Sequence, residues 1–295
     1  MPIDLEARIA SVLTNVDSPL WFPDLTRALA QTEWRRLEAV GIMPENYGTA
    51  RIIMENARAQ REIAPIFSTG NQKEGLLGET ISVESLPSKI NDYYREAGVE
   101  FYSFEEIFAE TEEGDTEKIC CVNAAFDIIR LIPSLFSTVA ALTKSIHLIK
   151  PETDDYDVSF SEPNVPFSIF VSVPRKNTLA NSLRVAEAII HEAMHLQLTL
   201  IEKIAALVTS NAKSYYSPWK DGMRSPQGIL HALYVFRVID YFFSELSNGL
   251  LKSPKATSYL VARRKEIDLQ IKIIRGFAEI EELTTLGKNF ARRLI

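Results

Sequence analysis

Apolar residues recur at three- and four-residue spacing over most of this chain, the pattern of helices that each bury one stripe. The pattern predicts helices over 4–16, 24–40 with Asp24 as cap, 49–65, 116–145, 178–209, 226–248 and 255–286. Pro133 kinks the 116–145 run or begins a second helix within it. Pro44, Tyr47 and Gly48 interrupt the chain, and the stretch 68–98, rich in Gly, Ser, Asn and Pro, reads as a long surface connection. Between 145 and 173 the pattern changes. Residues 145–149, 158–160 and 167–173 are short, β-branched or aromatic, and separated by turns containing Pro and Asp, which predicts a small antiparallel sheet or hairpin. The expected fold class is therefore mainly α, a multi-helix domain with a small antiparallel β-sheet beside the helices at 178–209 and 226–248. The 68–98 connection divides an N-terminal helical region, 1–115, from a region 116–295, either within one continuous domain or as two.

Composition narrows the class without naming it. The chain has 295 residues, 46% hydrophobic and 24% charged, the mixture of a globular protein with ample material for a core. A net charge of −7 argues against general binding to nucleic acid or an anionic membrane. The N-terminus MPIDLEARIASVL has no sustained apolar run and does not read as a secretory signal. No window reaches the roughly 18 apolar residues of a membrane span. The expectation is a cytoplasmic chain. Cys120 and Cys121 are adjacent in a helical stretch, about 100° apart, so they neither pair nor clasp a metal together. Both are read as core packing, with a reactive thiol as the alternative.

Histidine is scarce, and that scarcity directs attention to one segment. Of His147, His191, His195 and His231, two fall in a single HExxH, His191-Glu192-Ala193-Met194-His195. The surrounding LRVAEAIIHEAMHLQLTLIEKIAAL is free of Gly and Pro, so the motif lies on a helix. Residues four apart on a helix differ by about 40° in direction and roughly 6 Å in height, so two imidazoles converge on one ion. Glu192 reaches the same cavity, where it acts on a metal-bound water or supports the site from outside the ligand shell. A hydrogen-bonded core histidine pair is the bland alternative.

A catalytic ion needs a third ligand. Glu202 lies on nearly the same helix face as His195 but about 10 Å further along the axis, too far for easy sharing. The metzincin continuation is absent, with Leu198 and Ile201 at its glycine and last histidine. His231, opening a new helix after a Pro- and Gly-containing loop, is the favoured third ligand, with Glu245 as a further candidate. That loop gathers Tyr215, Tyr216, Trp219, Lys220 and Arg224. Rigid aromatics beside fixed cations suit a carboxylate-bearing co-substrate, and equally an ordinary solvated loop.

The segments SIFVSVP, AEAIIHEAMHLQL and YYSPWKDGMRSPQGILHALYVF together resemble the HExxH-type 2-oxoglutarate- and Fe(II)-dependent peptide β-hydroxylases, proteins found beside peptide-modifying enzymes. The likeness covers about residues 165–245. It rests on Tyr216, Pro218, Trp219, Lys220, Arg224, Pro226, Gly228 and His231, which match a Y-x-P-W-[RK]-x-D-x-R-P-like loop and a G-x-x-H-like helix start. Lys220 stands where arginine is commoner, and Ser225 separates Arg224 from Pro226. The resemblance implies hydroxylation of a β-carbon in a ribosomally made precursor peptide, using O₂ and 2-oxoglutarate. It implies iron held by His191, His195 and His231, with Glu192 as an outer-sphere or ligating carboxylate. Arg224, with Lys220, Trp219 and Tyr216 around it, would then bind the co-substrate.

Three histidines are not the usual two-histidine, one-carboxylate set of iron oxygenases. Spacing alone points as readily to a zinc metallopeptidase with Glu192 as general base, or to a metal that only staples the fold. The peptide, the residue modified, and the oligomeric state, a homodimer included, stay open. Residues 1–115 offer leader-peptide recognition or a cover over the back of the metal region.

Overall fold

The computed structural model describes residues 4–39, 82–85, 115–143, 145–149, 158–161, 167–174, 176–251 and 253–295. The helix expected at 49–65 and most of the 68–98 connection lie outside them. The described chain is mainly helical, with a small sheet and a separate hairpin. Among the described residues, no helix is long and apolar enough to cross a membrane. The helices are α1 (Leu5–Thr14), α2 (Pro23–Ala39), α3 (Asp115–Ile129), α4 (Pro133–Leu142), α5 (Leu179–Glu202), α6 (Pro226–Glu245), α7 (Pro254–Ile273) and α8 (Thr285–Leu294). The strands are β1 (Ser82–Ser85), β2 (Ser145–Ile149), β3 (Ser159–Ser161), β4 (Ser168–Ser172), β5 (Tyr215–Ser217) and β6 (Gly222–Arg224). They form two compact units, Met1–Leu25 with Gln197–Ile295, and Thr26–Leu196.

In the unit 26–196 the strand order is β1-β2-β4-β3. The antiparallel hairpin expected from the sequence is β3 with β4, Phe160 opposite Phe170. Their rings stack with centroids 4.5 Å apart. β2 pairs with β4 in parallel, and β1 with β2 likewise, so the sheet is mixed. Pro133 begins α4 and ends the ambiguity of the 116–145 run. Only one of two adjacent helical cysteines can face a core: Cys121 is buried and Cys120 exposed, which corrects the reading of both as core residues.

In the other unit each helix starts on a side-chain cap. The carboxylate of Asp4 accepts from Ala7 N at 3.2 Å, and Ser225 Oγ from Gly228 N at 3.2 Å. Ser253 and Thr284 serve α7 and α8 in the same way. Asp24 is not a cap; it sits in the first turn of α2, whose first residue is Pro23. At the far end of α1, the Arg293 guanidinium donates to Val12 O at 2.6 Å and to Ser18 O, and lies over the Phe22 ring. It thereby satisfies carbonyls that a helix terminus leaves open.

The deepest polar contact of this unit joins three segments. Tyr234, fully buried on α6, donates to Leu20 O at 2.8 Å and to Gln197 Oε1. Gln197 Nε2 in turn donates to Trp21 O at 3.2 Å. Two helices end earlier than their apolar pattern. The run expected to 209 stops at Glu202, and the run expected to 286 stops at Ile273 before a 3₁₀ turn and α8. Within the two overruns the chain pairs with itself instead: Val208 bridges Leu283, Thr209 N donates to Glu282 O, and Thr284 N to Leu207 O. This long-range pairing takes the backbone groups a longer helix would have used. Gly287 packs so tightly against it that a Cβ there would run into the Leu207 carbonyl. Gly287→Ala is accordingly expected to destabilise the protein by at least about 2 kcal/mol in urea unfolding, and an unchanged midpoint would contradict this packing.

Candidate metal centre

Helix α5 is apolar on nearly every side at the motif, with Ile189, Ile190, Ala193, Met194 and Leu198 fully buried. The two histidines are the less buried positions there, His191 with 24% of its side chain exposed. Their Nε2 atoms face one another at 3.1 Å. Two nitrogens each about 2.1 Å from one ion, at tetrahedral or octahedral angles, stand about 3.0–3.4 Å apart. The imidazole pair meets that spacing. Without an ion, the same distance is a hydrogen bond in which one ring must present Nε2–H and the other a bare nitrogen.

Glu192 is buried beside them, its Oε1 3.9 Å from His191 Nε2. That is longer than the spacing of neighbouring ligands, and Glu192 does not converge with the two histidines in ligating geometry, so the carboxylate stands beside the pair and not as a third ligand to it. Two residues the sequence reading missed hold it there. Ser159 Oγ donates to Oε1 at 2.7 Å and Ser161 Oγ to Oε2 at 2.9 Å. A strand has a side-chain period of two, so β3 turns both serines to one side while Phe160 turns to the other. The only sequence signal was that Ser-Phe-Ser alternation. Among the described residues, no group of three His, Cys, Asp or Glu side chains converges in ligating geometry.

His231 lies on α6, one turn beyond Gln227, in the unit that also holds Glu202. Its Nε2 is 2.9 Å from Glu202 Oε2. Gln227 Nε2 donates to the same oxygen at 2.7 Å. The main-chain N–H of Gln227 donates to Asn211 Oδ1 and its side-chain oxygen accepts from Asn211 Nδ2, both at 3.1 Å, which fixes the amide's orientation. Glu202, weighed from sequence as a ligand, is thus the partner of His231. Metal ligation through His231 Nε2 requires that bond to give way. Glu245 is exposed at the end of α6. His147 lies on β2, in parallel register with Phe170.

The loop singled out from sequence is the β5–β6 hairpin, Tyr216 opposite Met223. Asp221 takes a left-handed backbone, φ 45°, which aspartate tolerates, and accepts from Tyr216 Oη at 2.8 Å. Trp219 stacks on Phe236 with centroids 5.3 Å apart, and Arg263 lies over that same phenylalanine. The buried Nε1–H of Trp219 has no acceptor among the described residues. Lys220 and Arg224 are exposed and form no ion pair among them. Arg224 rests against Gly228 at the start of α6. No protein-family model matches the chain, and no curated protein matches it.

The hairpin is anchored at Tyr215, whose hydroxyl donates to Glu282 Oε2 at 2.5 Å, while Lys213 Nζ meets Oε1 at 2.7 Å. Lys213 first, then Tyr215, hold the Glu282 carboxyl at about 2 against its ordinary 4.5. A carboxyl depressed in the folded state stabilises it above the unfolded value and loses that contribution as protons are added. The thermal midpoint is therefore expected to fall as pH drops from about 4.5 toward about 2, and to fall less in Glu282→Gln. Parallel decline in both proteins would remove Glu282 from the account.

Proposed function

We propose that this chain is a 2-oxoglutarate- and Fe(II)-dependent oxygenase that hydroxylates the β-carbon of a residue in a ribosomally made peptide. The observation that carries the reading is the arrangement on α5: two imidazole nitrogens at ion-sharing separation, with Glu192 held back beside them by two serine hydroxyls. Bound there, iron would supply activation of O₂ coupled to decarboxylation of 2-oxoglutarate. His191 and His195 hold the ion through Nε2. The resemblance gives His231 as the third ligand; its Nε2 is the atom now bonded to Glu202. Lys220 and Arg224 are the cations offered to the distal carboxylate of 2-oxoglutarate, Arg224 by a bidentate grip, with Tyr216 and Trp219 framing them. The Trp219 N–H supplies a further donor for an anionic oxygen. Such chemistry belongs in the cytoplasm, where ribosomal peptides and 2-oxoglutarate meet.

A zinc peptidase would use the same imidazole pair, and Glu192 is close enough to act on a bound water. Against it, the metzincin continuation is absent, with Leu198 and Ile201 at its positions, and Glu202, the next glutamate on the motif helix, is bonded to His231 and Gln227. Anaerobic addition of Fe(II) and 2-oxoglutarate is expected to give a weak visible charge-transfer band, lost in His195→Ala. Tight zinc binding with no response to 2-oxoglutarate, together with peptide cleavage, would overturn the oxygenase reading. Gain of one oxygen atom by a precursor peptide, read by mass spectrometry, is its most direct support. A separate expectation concerns His231: its replacement by alanine abolishes metal binding, and full occupancy in that variant would remove it from the ligand set.

A further inference from the structure

The position of Glu192 has a structural cause, and that cause lies in β3. A glutamate neighbouring two metal-binding histidines has enough reach to swing into the ion as a ligand, to lean over a bound water, or to turn away. Here one choice is enforced. Each carboxylate oxygen takes a hydrogen bond from a different hydroxyl, at 2.7 and 2.9 Å, so both the position and the plane of the group are set. A single bond would leave rotation about the last side-chain torsion; two bonds from one strand do not. The strand itself is fixed from its other side by the Phe160–Phe170 stack and by antiparallel pairing with β4. The Val158 end adds a further tie, its N–H donating to Ser172 Oγ at 2.8 Å and its C=O accepting from Ser172 N at 2.8 Å. The outcome is an Oε1 held 3.9 Å from His191 Nε2, beside the imidazole pair but not converging with it in ligating geometry.

We propose that Ser159 and Ser161 are the positioning residues of the metal centre, which keep Glu192 out of the ligand set and aim it at what the ion binds. The inference rests on the metal-centre part of the reading above and is independent of which co-substrate is used. It assigns β3 a role that its length and place at the sheet edge do not suggest. Neither serine touches the ion; each acts only through Glu192. The hydroxyls are the active feature, so threonine, which keeps the hydroxyl and suits a strand, can replace serine.

A thermodynamic cycle tests this without turnover. Co(II) is titrated into the full chain, and its dissociation constant and visible spectrum are read for the wild type, S159A/S161A, E192Q, and the triple combination. The serine pair is expected to change Co(II) affinity by about tenfold when Glu192 is present, with an altered spectrum. It is expected to do nothing further in the E192Q background, because non-additivity marks groups that act through one another. S159T/S161T is expected to return both readings to the wild-type values. Equal effects in the two backgrounds, or no effect in either, would overturn the proposal and leave the serines as ordinary strand residues. A wild-type chain that takes up no Co(II) would overturn both this proposal and the proposed function. Co(II) binding with intact coupling but no response to 2-oxoglutarate would overturn the oxygenase reading alone.

Discussion

A helix that is apolar nearly all round can carry polar side chains only if each one is given a partner, and α5 is built under that constraint. His191 and His195 are turned toward each other, and Glu192 takes two serine hydroxyls. Gln197 spans a main-chain carbonyl and a tyrosine, and Glu202 receives a histidine and a glutamine. The histidines answer each other, while Glu192, Gln197 and Glu202 are each matched by groups brought from elsewhere in the chain. The candidate chemistry sits where one pair of polar groups was matched with each other.

Local pattern carried the helices and lost the places where distant backbone intervened. The HExxH helix was legible because its formers, its lack of Gly and Pro and its i, i+4 histidines all agree. Its end was not, and neither was the end of α7. In both cases the apolar rhythm continues past the true stop, and nothing within a short window reveals that Val208 will lie against Leu283. Strand existence was legible in the same way, but strand order was not. Adjacency along the chain suggests a simple hairpin, whereas β4 enters between β3 and β2 and runs parallel to the latter.

The candidate site divides along the same line. Histidines at helical spacing announce themselves; serines bonded to a glutamate more than thirty residues away do not. Glu202 drew attention from its helix phase as a ligand, and its real partner, His231, was named for a different reason. Gln227, whose amide donates to the same Glu202 oxygen, carried no signal in the sequence. Chemistry-bearing residues are visible in a sequence by type, while the residues that aim them are visible only once the chain has folded.

The Gln197–Tyr234 contact carries a consequence for how such sequences change over time. A side-chain amide and a phenol, both buried, each close the other's hydrogen bonding and together hold the Leu20 and Trp21 carbonyls. Loss of either alone strands the remaining polar groups in an apolar setting. Exchange of both for a matched hydrophobic pair leaves only the two carbonyls to be answered. The two positions are thus expected to drift as a couple, and a lineage that has replaced one will carry a compensating change at the other. A pair that never meets a ligand would then leave a clearer joint signature than the histidines on the same helix.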